Sequence, residues 1–362
     1  MIDFLTTSLG PSFFDRALFH YITFRAIMAF FTSFFTAFFV GPLFIRTLKS
    51  YQKKGQPIRD DGPQHHITLK QGTPTMGGIF IVGSFLVGIM LWGALDTYTL
   101  WHLTLATLGF GAIGFIDDFL KLTKHNHHGL SPRKKIIGQT GLTFTLAFVL
   151  WSLAPEGLRD TLHLPFFKNA FFHLSYGWIL WAMLVLIGSA NAVNLTDGLD
   201  GLAVGPSVIA TAVLVIIAYL AGHKEFSTYL YIPHIPGVGE ALVLGGALIG
   251  GCLGFLWYNA PPAMVFMGDT GSMAIGGFLG ALALLIKHEM IYALVGGVFV
   301  LEALSVMVQV LYFKKTRKRV FLMAPLHHHF EHKGWSEPTI VMRFWIISLI
   351  LGILALASLK VR

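Results

Sequence analysis

The sequence has little charge and almost no cysteine. Asp, Glu, Lys and Arg make up 12% of its 362 residues, about half of the roughly 25% that is usual in soluble domains. Its single cysteine, Cys252, excludes a framework of internal disulfides. Hydrophobic residues reach 54%, and they occur in runs long enough to cross a bilayer, about 20 residues each. A soluble fold is therefore excluded, and the composition predicts an all-α polytopic membrane protein.

Basic residues outnumber acidic ones, 26 to 18, and the formal net charge is +8. In a polytopic membrane protein such an excess reflects topology and anionic lipid headgroups rather than nucleic-acid binding. We therefore expect membrane lipids and no nucleic acid among the partners. The consecutive basic residues Arg133, Lys134 and Lys135 are expected to contact lipid phosphates.

About ten apolar runs meet the length criterion for transmembrane helices. The expected spans cover roughly residues 20–45, 74–95, 100–117, 134–153, 174–190, 200–220, 240–258, 270–287, 290–312 and 340–359. The pair Gly296-Gly297 is expected to kink the ninth span. No linker is long enough to separate a second unit, so we expect residues 1–362 to form a single integral membrane domain.

Lys and Arg concentrate in the loops after the first, third and ninth expected spans. Together with Arg343, these loops hold about 18 of the 26 basic residues, and basic loops face the cytoplasm. Both termini are then predicted to be periplasmic. Because the polar clusters of the sequence fall on the same side as the basic loops, we predict an active-site cleft on the cytoplasmic side.

Two adjacent acids, Asp117 and Asp118, end the third apolar run. A helix C-terminus carries partial negative charge, and neighbouring carboxylates repel each other, so this position disfavours two acids. A bound cation resolves both problems, and ligation by oxygen alone suits Mg²⁺. The alternative is a solvated pair of acids balanced by Lys121 and Lys124.

Four amide and carboxylate side chains, Asn191, Asn194, Asp197 and Asp200, recur at every third position between two apolar runs. In a helical turn they would share one face. The segment holds no Lys or Arg, so it predicts either a hydrogen-bonding surface for a ligand or a metal site. The alternative is a capped start of the next helix.

The segment before the eighth expected span reads Val265-Phe-Met-Gly-Asp-Thr-Gly-Ser272. Asp269 is either the N-cap of that span or a third carboxylate for the ion near Asp117 and Asp118. Phe266 could stack on a flat base.

Lys70 precedes a stretch rich in Gly and Thr that leads into the second expected span. Backbone N–H groups at a helix start attract phosphate, and lysine adds a point charge. The alternative is that Thr73 or Thr75 caps the helix and the glycines allow close helix packing.

Three consecutive histidines, His327, His328 and His329, follow the ninth span. They cannot all face one ion on a helix, so one or two contacts to phosphate are expected, with a solvated loop as the alternative. Glu302 lies near the middle of the ninth span. An acid at that depth is either a functional group or a hydrogen-bond partner of a neighbouring helix.

Four motifs carry a resemblance to a known family. They are Phe115–Phe119, Asn191–Gly201, Val265–Ser272 and Pro325–Glu331. In this order and topology they resemble the polyprenyl-phosphate hexosamine-1-phosphate transferases, and the histidine run with its Pro-Leu lead and Phe-Glu tail resembles the branch of bacterial phospho-MurNAc-pentapeptide transferases.

The resemblance implies an enzyme of the bacterial inner membrane that takes phospho-MurNAc-pentapeptide from UDP-MurNAc-pentapeptide to undecaprenyl phosphate, giving lipid I and UMP. It implies Mg²⁺ as cofactor and a homodimer. It also implies two sets of site residues. The catalytic set is Asp117, Asp118, Asp269, His327, His328 and His329, of which the three acids hold the metal. The substrate-binding set is Lys70, Thr75, Asn191, Asn194, Asp197, Gly198, Asp200, Asn259, Phe266 and Gln309, with Phe266 under the uracil.

Two alternatives stay open at this point. A related transferase would use UDP-GlcNAc for another polyprenyl-linked glycan. A transporter with Glu302 as its coupling residue would place polar groups near the bilayer midplane, whereas here they crowd one surface. Direct attack by the lipid phosphate and a covalent carboxyl-phosphate intermediate are equally compatible with the sequence.

Overall fold

The computed structural model describes residues 16–52, 72–124, 129–164 and 171–360. The fold is almost entirely helical. Its α-helices are α1 Arg16–His20, α2 Ile22–Tyr51, α3 Gly78–Trp92, α4 Tyr98–Thr123, α5 Pro132–Leu153, α6 Gly177–Thr196, α7 Val204–Gly222, α8 Lys224–Leu230, α9 Ala241–Asn259, α10 Gly268–Leu285, α11 Glu289–Val295, α12 Gly297–Thr316, α13 Leu326–His332 and α14 Glu337–Ser358.

Nine helical segments within the described residues are long and apolar enough to cross a membrane. The expected second span forms α3, which has 15 residues and is therefore shorter than the roughly 20 that the length criterion asks for. The predicted all-α polytopic membrane protein is confirmed. Which end of the bundle faces the cytoplasm stays a prediction.

Two expected spans differ in detail from the helices observed. The ninth is interrupted at Gly296, where α11 ends and α12 begins, so the predicted kink is confirmed as a break. The third does not end at Asp117 but continues as α4 to Thr123. The acid pair therefore lies inside the last two turns of a helix rather than at its C-terminal residue.

Helix α10 forms the centre of the bundle, and nearly all of its residues are buried. It packs against α3, α4 and α6, while α9 packs against α2, α3 and α7. Two glycines allow the closest approaches, because a Cβ on Gly114 would overlap the carbonyl of Asp269 and a Cβ on Gly78 would overlap the backbone of Gly271. The start of α10 is thereby held between α3 and α4.

A short antiparallel hairpin lies at the other end of α10. Strands β1 Thr161–His163 and β2 Phe171–His173 pair with Leu162 opposite Phe172. Strand β1 contacts α11, and Lys287, just after α10, donates a hydrogen bond to the carbonyl of Arg159 at 3.2 Å. The polar residues of the candidate site are thus a full helix length away from the hairpin.

Candidate functional site

Three carboxylates from distant parts of the chain meet at the start of α10. Each of Asp117, Asp118 and Asp269 offers an oxygen, and these oxygens lie within 4.8 Å of one another. Asp117 and Asp118 are 4% and 2% exposed. The predicted gathering of the acids is confirmed. The alternative that Asp269 is a helix N-cap is wrong, since α10 begins at Gly268 and its start has no side-chain capping bond from its own N-cap residue.

Asp118 binds the start of α10 from the neighbouring helix α4. Its Oδ1 accepts the N–H of Asp269 at 3.1 Å, and its Oδ2 accepts the N–H and the hydroxyl of Thr270 at 2.9 and 2.8 Å. A helix N-terminus carries unsatisfied N–H groups and partial positive charge, so a carboxylate there is stabilising. Asp118 therefore caps a helix to which it does not belong.

Asp117 is covered by the segment that follows α4. Its Oδ1 accepts the N–H of Leu130 at 2.9 Å. A Cβ on Gly129 would lie 2.7 Å from the carboxyl group of Asp117, so the absence of a side chain there lets the segment close over the acid. Asp117 uses fewer of its acceptor positions on the protein than Asp118 does.

Two lysines enter the acid cluster. Nζ of Lys121 lies 2.6, 3.2 and 3.7 Å from oxygens of Asp117, Asp269 and Asp118, and Nζ of Lys135 lies 2.7 Å from Asp269. Three carboxylates against two ammonium groups leave one negative charge in excess, so the cluster retains a capacity for a further cation.

These contacts revise two predictions made from the sequence. Lys121 and Lys124 were the two lysines expected to balance the acid pair. Because α4 continues past the acids, Lys121 lies one turn beyond Asp117 and pairs with it, whereas Lys124 is exposed at the end of the helix. Lys135, expected on lipid phosphates, instead contacts Asp269. Nothing in the sequence distinguishes Lys135 from the neighbouring basic residues, because its partner comes from a helix more than a hundred residues away.

The donor set fits a hard divalent cation such as Mg²⁺. Oxygens on one Mg²⁺ lie about 2.1 Å from the ion and so at most about 4.2 Å apart, which the cluster reaches by contracting by little more than half an ångström from its 4.8 Å limit. The buried hydroxyl of Thr75 has no hydrogen-bond partner among the described residues. A Cβ on Gly268, whose φ is +74°, would lie 2.9 Å from this hydroxyl and 2.7 Å from Oδ2 of Asp118, so glycine leaves open the space on which both oxygens converge.

The segment before α3 pairs with the segment before α10. Phe266 donates its N–H to the carbonyl of Pro74 and accepts the N–H of Gly77, both at 2.9 Å. The side chain of Gln52 bonds the backbone of Thr75 on both sides, at 2.9 and 3.1 Å. Phe266 and Thr75 are thereby fixed next to the acids. Gln52 was not singled out from the sequence, and Lys70 lies outside the described residues.

The four regularly spaced polar residues do not share one helical face, because α6 ends at Thr196. Asn191 exchanges amide hydrogen bonds with Gln139 of α5 at 3.1 and 3.3 Å. Asn194 donates to the hydroxyl of Ser272 at 2.9 Å, which connects α6 to the start of α10. Asp197 and Asp200 lie in the turn that follows.

Asp200 and Asn259 hold neighbouring loops together. Oδ2 of Asp200 accepts the N–H of Ala263 at 3.0 Å, and its own N–H donates to Glu337 at 2.7 Å. Asn259 accepts the N–H of Gly201 and donates to the carbonyl of Val265, both at 2.9 Å. These bonds give both side chains a structural role, and substrate binding by them stays a prediction.

The three histidines have three different environments. His327 is buried, and its Nδ1 lies 3.2 Å from Glu302. His328 has Glu331 at 2.6 Å from its Nδ1. Nδ1 of His329 accepts the N–H of Leu322 at 3.1 Å, which requires that nitrogen to be unprotonated.

The environment of His329 favours its neutral form. Partial burial, together with the nearby Lys333 and His332, lowers the pKa of His329 below its ordinary value. Gln309 holds the same region of the chain, because its side-chain carbonyl accepts the N–H groups of Val320 and Phe321 at 3.1 and 3.0 Å. The roles predicted for His329 and Gln309 in binding therefore stay predictions.

A bundle of apolar helices with a cluster of three carboxylates and two lysines at one end defines an integral membrane protein with a polar, charged site at one end of its helices. The family model described as glycosyl transferase family 4 matches residues 100–287. The phospho-N-acetylmuramoyl-pentapeptide-transferase signature 1 matches residues 70–82.

Curated relatives extend this similarity to the whole chain. Three proteins named phospho-N-acetylmuramoyl-pentapeptide-transferase come from Ruegeria sp. (strain TM1040), Dinoroseobacter shibae and Granulibacter bethesdensis. They are 53%, 54% and 52% identical to this chain. The alignments cover 100%, 95% and 100% of this chain and 100%, 96% and 100% of the relatives. The chain belongs to the phospho-N-acetylmuramoyl-pentapeptide-transferase family.

Proposed function

We propose that this chain transfers phospho-MurNAc-pentapeptide from UDP-MurNAc-pentapeptide to undecaprenyl phosphate, giving lipid I and UMP. The observation that carries the proposal is the cluster of Asp117, Asp118 and Asp269 with its two lysines, in a chain similar over its full length to proteins of that name. A divalent cation held by such a cluster, together with the two lysines, would suit a reaction between two phosphorylated substrates, because positive charge lowers the repulsion between them.

In the proposed reaction an oxygen of the lipid phosphate attacks the β-phosphorus of the donor. A new P–O bond forms, the bond to the bridging oxygen between the α- and β-phosphates breaks, and UMP leaves. The second pKa of a phosphate monoester is about 6, so the acceptor is largely dianionic at neutral pH and needs little help from a base. Asp117, whose carboxylate is less engaged than that of Asp118, orients the acceptor or takes its remaining proton.

Mg²⁺ would be held by Asp269 and Asp117, with Asp118 beside them. When bound, it supplies positive charge against the diphosphate oxygens. Lys121 and Lys135 add two further positive charges within ion-pair distance of these acids. They would share the acids with the phosphates and stabilise UMP as it leaves.

The donor's nucleotide would occupy the pocket bounded by the turn after α6 and by Phe266, whose ring would lie under the uracil. Asp197, Gly198, Asp200 and Asn259 line this pocket in the proposal, together with Lys70. Support comes from the backbone pairing that fixes Phe266 next to the acid cluster. It also comes from the bonds that join Asp200 and Asn259 to the surrounding loops.

The remaining parts of the proposal concern the cellular arrangement. The chain is a single integral domain of the bacterial inner membrane with both termini periplasmic and the site on the cytoplasmic side, where the soluble UDP-linked donor is found. The distribution of basic residues over the loops supports this orientation. A homodimer is proposed from the family resemblance.

Purified protein in detergent tests the reaction. It is incubated with Mg²⁺, undecaprenyl phosphate and either UDP-MurNAc-pentapeptide or UDP-GlcNAc, and the lipid product and UMP are measured. We expect a lipid product only with the first donor. Equal or greater turnover of UDP-GlcNAc would instead indicate a GlcNAc-1-phosphate transferase. Failure with both donors would overturn the proposal.

Direct attack is tested by omitting the acceptor. Enzyme mixed with donor alone is expected to carry no covalent phosphate, and mass spectrometry of its peptides measures this. A phosphorylated Asp117 or Asp118 would replace direct attack with a two-step reaction.

A further inference from the structure

The side chain of Glu302 contacts His327 at two places, the backbone N–H and the imidazole ring. This acid of α12 is completely buried. Its Oε1 accepts the backbone N–H of His327 at 3.2 Å, and its Oε2 lies 3.2 Å from Nδ1 of the same residue. A single carboxylate thus bonds the main chain of His327 and lies within ion-pair distance of its ring, although Oε2 and Nδ1 form no hydrogen bond among the described residues. His327 lies 25 residues further along the chain, on α13.

Burying a carboxylate completely, as at Glu302, is unfavourable and calls for a compensating role. Removing a charge from water is unfavourable, and this penalty is offset only when a partner of opposite charge and hydrogen bonds are provided. In the described part of the chain, the basic group within ion-pair distance of Glu302 is the ring of His327. An acid with this burial and a titratable partner is a candidate for function rather than for stability alone.

The other nitrogen of the His327 ring faces the turn after α6. A Cβ on Gly198 would overlap Nε2 of His327, so the imidazole lies directly against the backbone of that turn. This Nε2 is buried and lacks a hydrogen-bond partner among the residues that the structure describes. A buried ring nitrogen without a partner requires an explanation, and a ligand atom would provide one.

The neighbouring histidine offers an internal comparison. His328 also has a carboxylate at Nδ1, but its partner Glu331 is three residues along the same short helix. The two imidazole rings lie 4.2 Å apart, centroid to centroid. The carboxylate beside His327 comes from a different helix, so Glu302 links this pair of rings to α12.

We propose that Glu302 is a positioning residue, which holds His327 so that Nε2 is presented beside Gly198 to a phosphate oxygen of the UDP-linked donor. This inference rests on the proposed function. A carboxylate beside Nδ1 sets the orientation of the ring. Nε2–H then donates a hydrogen bond to the anionic oxygen, and this bond forms only when the donor is bound.

A double-mutant cycle tests the proposal, with the variants E302Q and H327N and their combination. A hydrogen bond to a charged group corresponds to roughly a tenfold change or more in affinity. Each single variant should therefore raise the KM for the UDP-linked donor and the Kd for UMP by about that factor. The KM for undecaprenyl phosphate should not change. The double variant should lose no more than H327N alone, because both substitutions remove the same interaction.

Three further variants separate positioning from folding. E302D keeps the charge and should recover part of the donor affinity. G198A places a methyl group against Nε2 without touching Glu302, so it should raise the donor KM even if E302Q folds poorly. E240Q removes a buried acid at the opposite end of the bundle, where Glu240 pairs with Arg25 at 2.8 Å; it should lower the melting temperature and leave the donor KM unchanged.

The outcomes are distinguishable. If the unaltered protein neither binds UMP nor turns over the donor, the proposed function fails and this inference fails with it. If the unaltered protein is active but E302Q and H327N act independently, with losses that multiply to about a hundredfold, only the role of Glu302 is overturned. A lower melting temperature of E302Q with an unchanged donor KM would likewise leave Glu302 a structural residue.

Discussion

The two adjacent acids of α4 should respond differently to the same substitution. Asp118 accepts three hydrogen bonds from the start of α10, whereas Asp117 accepts one backbone N–H and pairs with Lys121. In D118N, one carboxylate oxygen is replaced by an amide NH₂. This NH₂ would face an N–H of Asp269 or Thr270 that donates to an oxygen in the unaltered protein. In D117N, the remaining oxygen can keep the bond to Leu130.

The magnitude follows from these bonds. Each buried donor that is left without an acceptor costs about 1–3 kcal/mol, so D118N should be about 2 kcal/mol less stable than D117N. Both variants remove one negative charge from a cluster that has one more carboxylate than lysine. The relief of repulsion between the carboxylates is therefore similar in D117N and D118N, and it largely cancels in the difference between their stabilities. At about 2–4 °C for each kcal/mol, the melting temperature of D118N should lie about 4 °C or more below that of D117N.

The assay is thermal unfolding of both purified variants in one detergent, with turnover measured in parallel. We expect both variants to lose turnover and only D118N to lose substantial stability. If D118N melts at or above the temperature of D117N, Asp118 does not anchor α10 and the reasoning from these hydrogen bonds is refuted.

Three further outcomes are expected. D269N should abolish Mg²⁺-dependent release of UMP, and near-normal turnover would remove Asp269 from the metal site. K135M should lower the Mg²⁺ concentration that gives half-maximal rate, because a competing cation leaves Asp269; a higher requirement for Mg²⁺ would contradict this. G114A should lower the melting temperature because its methyl group overlaps the carbonyl of Asp269, at a cost of about 1–3 kcal/mol. The matched variant G141A, on α5 with open space around it, should be at least as stable as the unaltered protein, because alanine favours a helix more than glycine does. Equal melting temperatures for G114A and G141A would contradict the close approach of α4 and α10.

Much of the helical architecture could be predicted from the sequence because apolar runs of bilayer length have few other structures available to them. The break at Gly296 follows from a glycine pair inside such a run. The gathering of Asp269 with Asp117 and Asp118 was also predictable. All three are rare charged residues next to apolar spans, and the basic loops place them on the same side of the membrane.

The errors arose where a contact between distant segments decides the outcome. The end of α4 was placed too early because the apolar run ends at the acid pair, whereas the helix continues to Thr123 with Asp118 bound to the positive N-terminus of α10 and Lys121 paired with Asp117. The regular spacing of Asn191, Asn194, Asp197 and Asp200 indicated a helical face, but α6 ends between the second and third of them.

Other site residues could not be found from the sequence at all. Gln52, Gln139 and Glu337 each hold a functional segment by a hydrogen bond to a residue at least 23 positions away. Nothing in their local sequence distinguishes them from polar residues at helix ends. Their roles depend on the packing of α2, α5 and α14 around the site, which only the folded chain defines.

The central claim is that acids far apart in the chain hold one divalent ion at the start of α10. Electron paramagnetic resonance with Mn²⁺ in place of Mg²⁺ tests it most directly, by counting bound ions in the unaltered protein, in D269N and in E240Q. One bound ion in the unaltered protein and in E240Q, and none in D269N, is the result expected. Undiminished Mn²⁺ binding by D269N would contradict the claim.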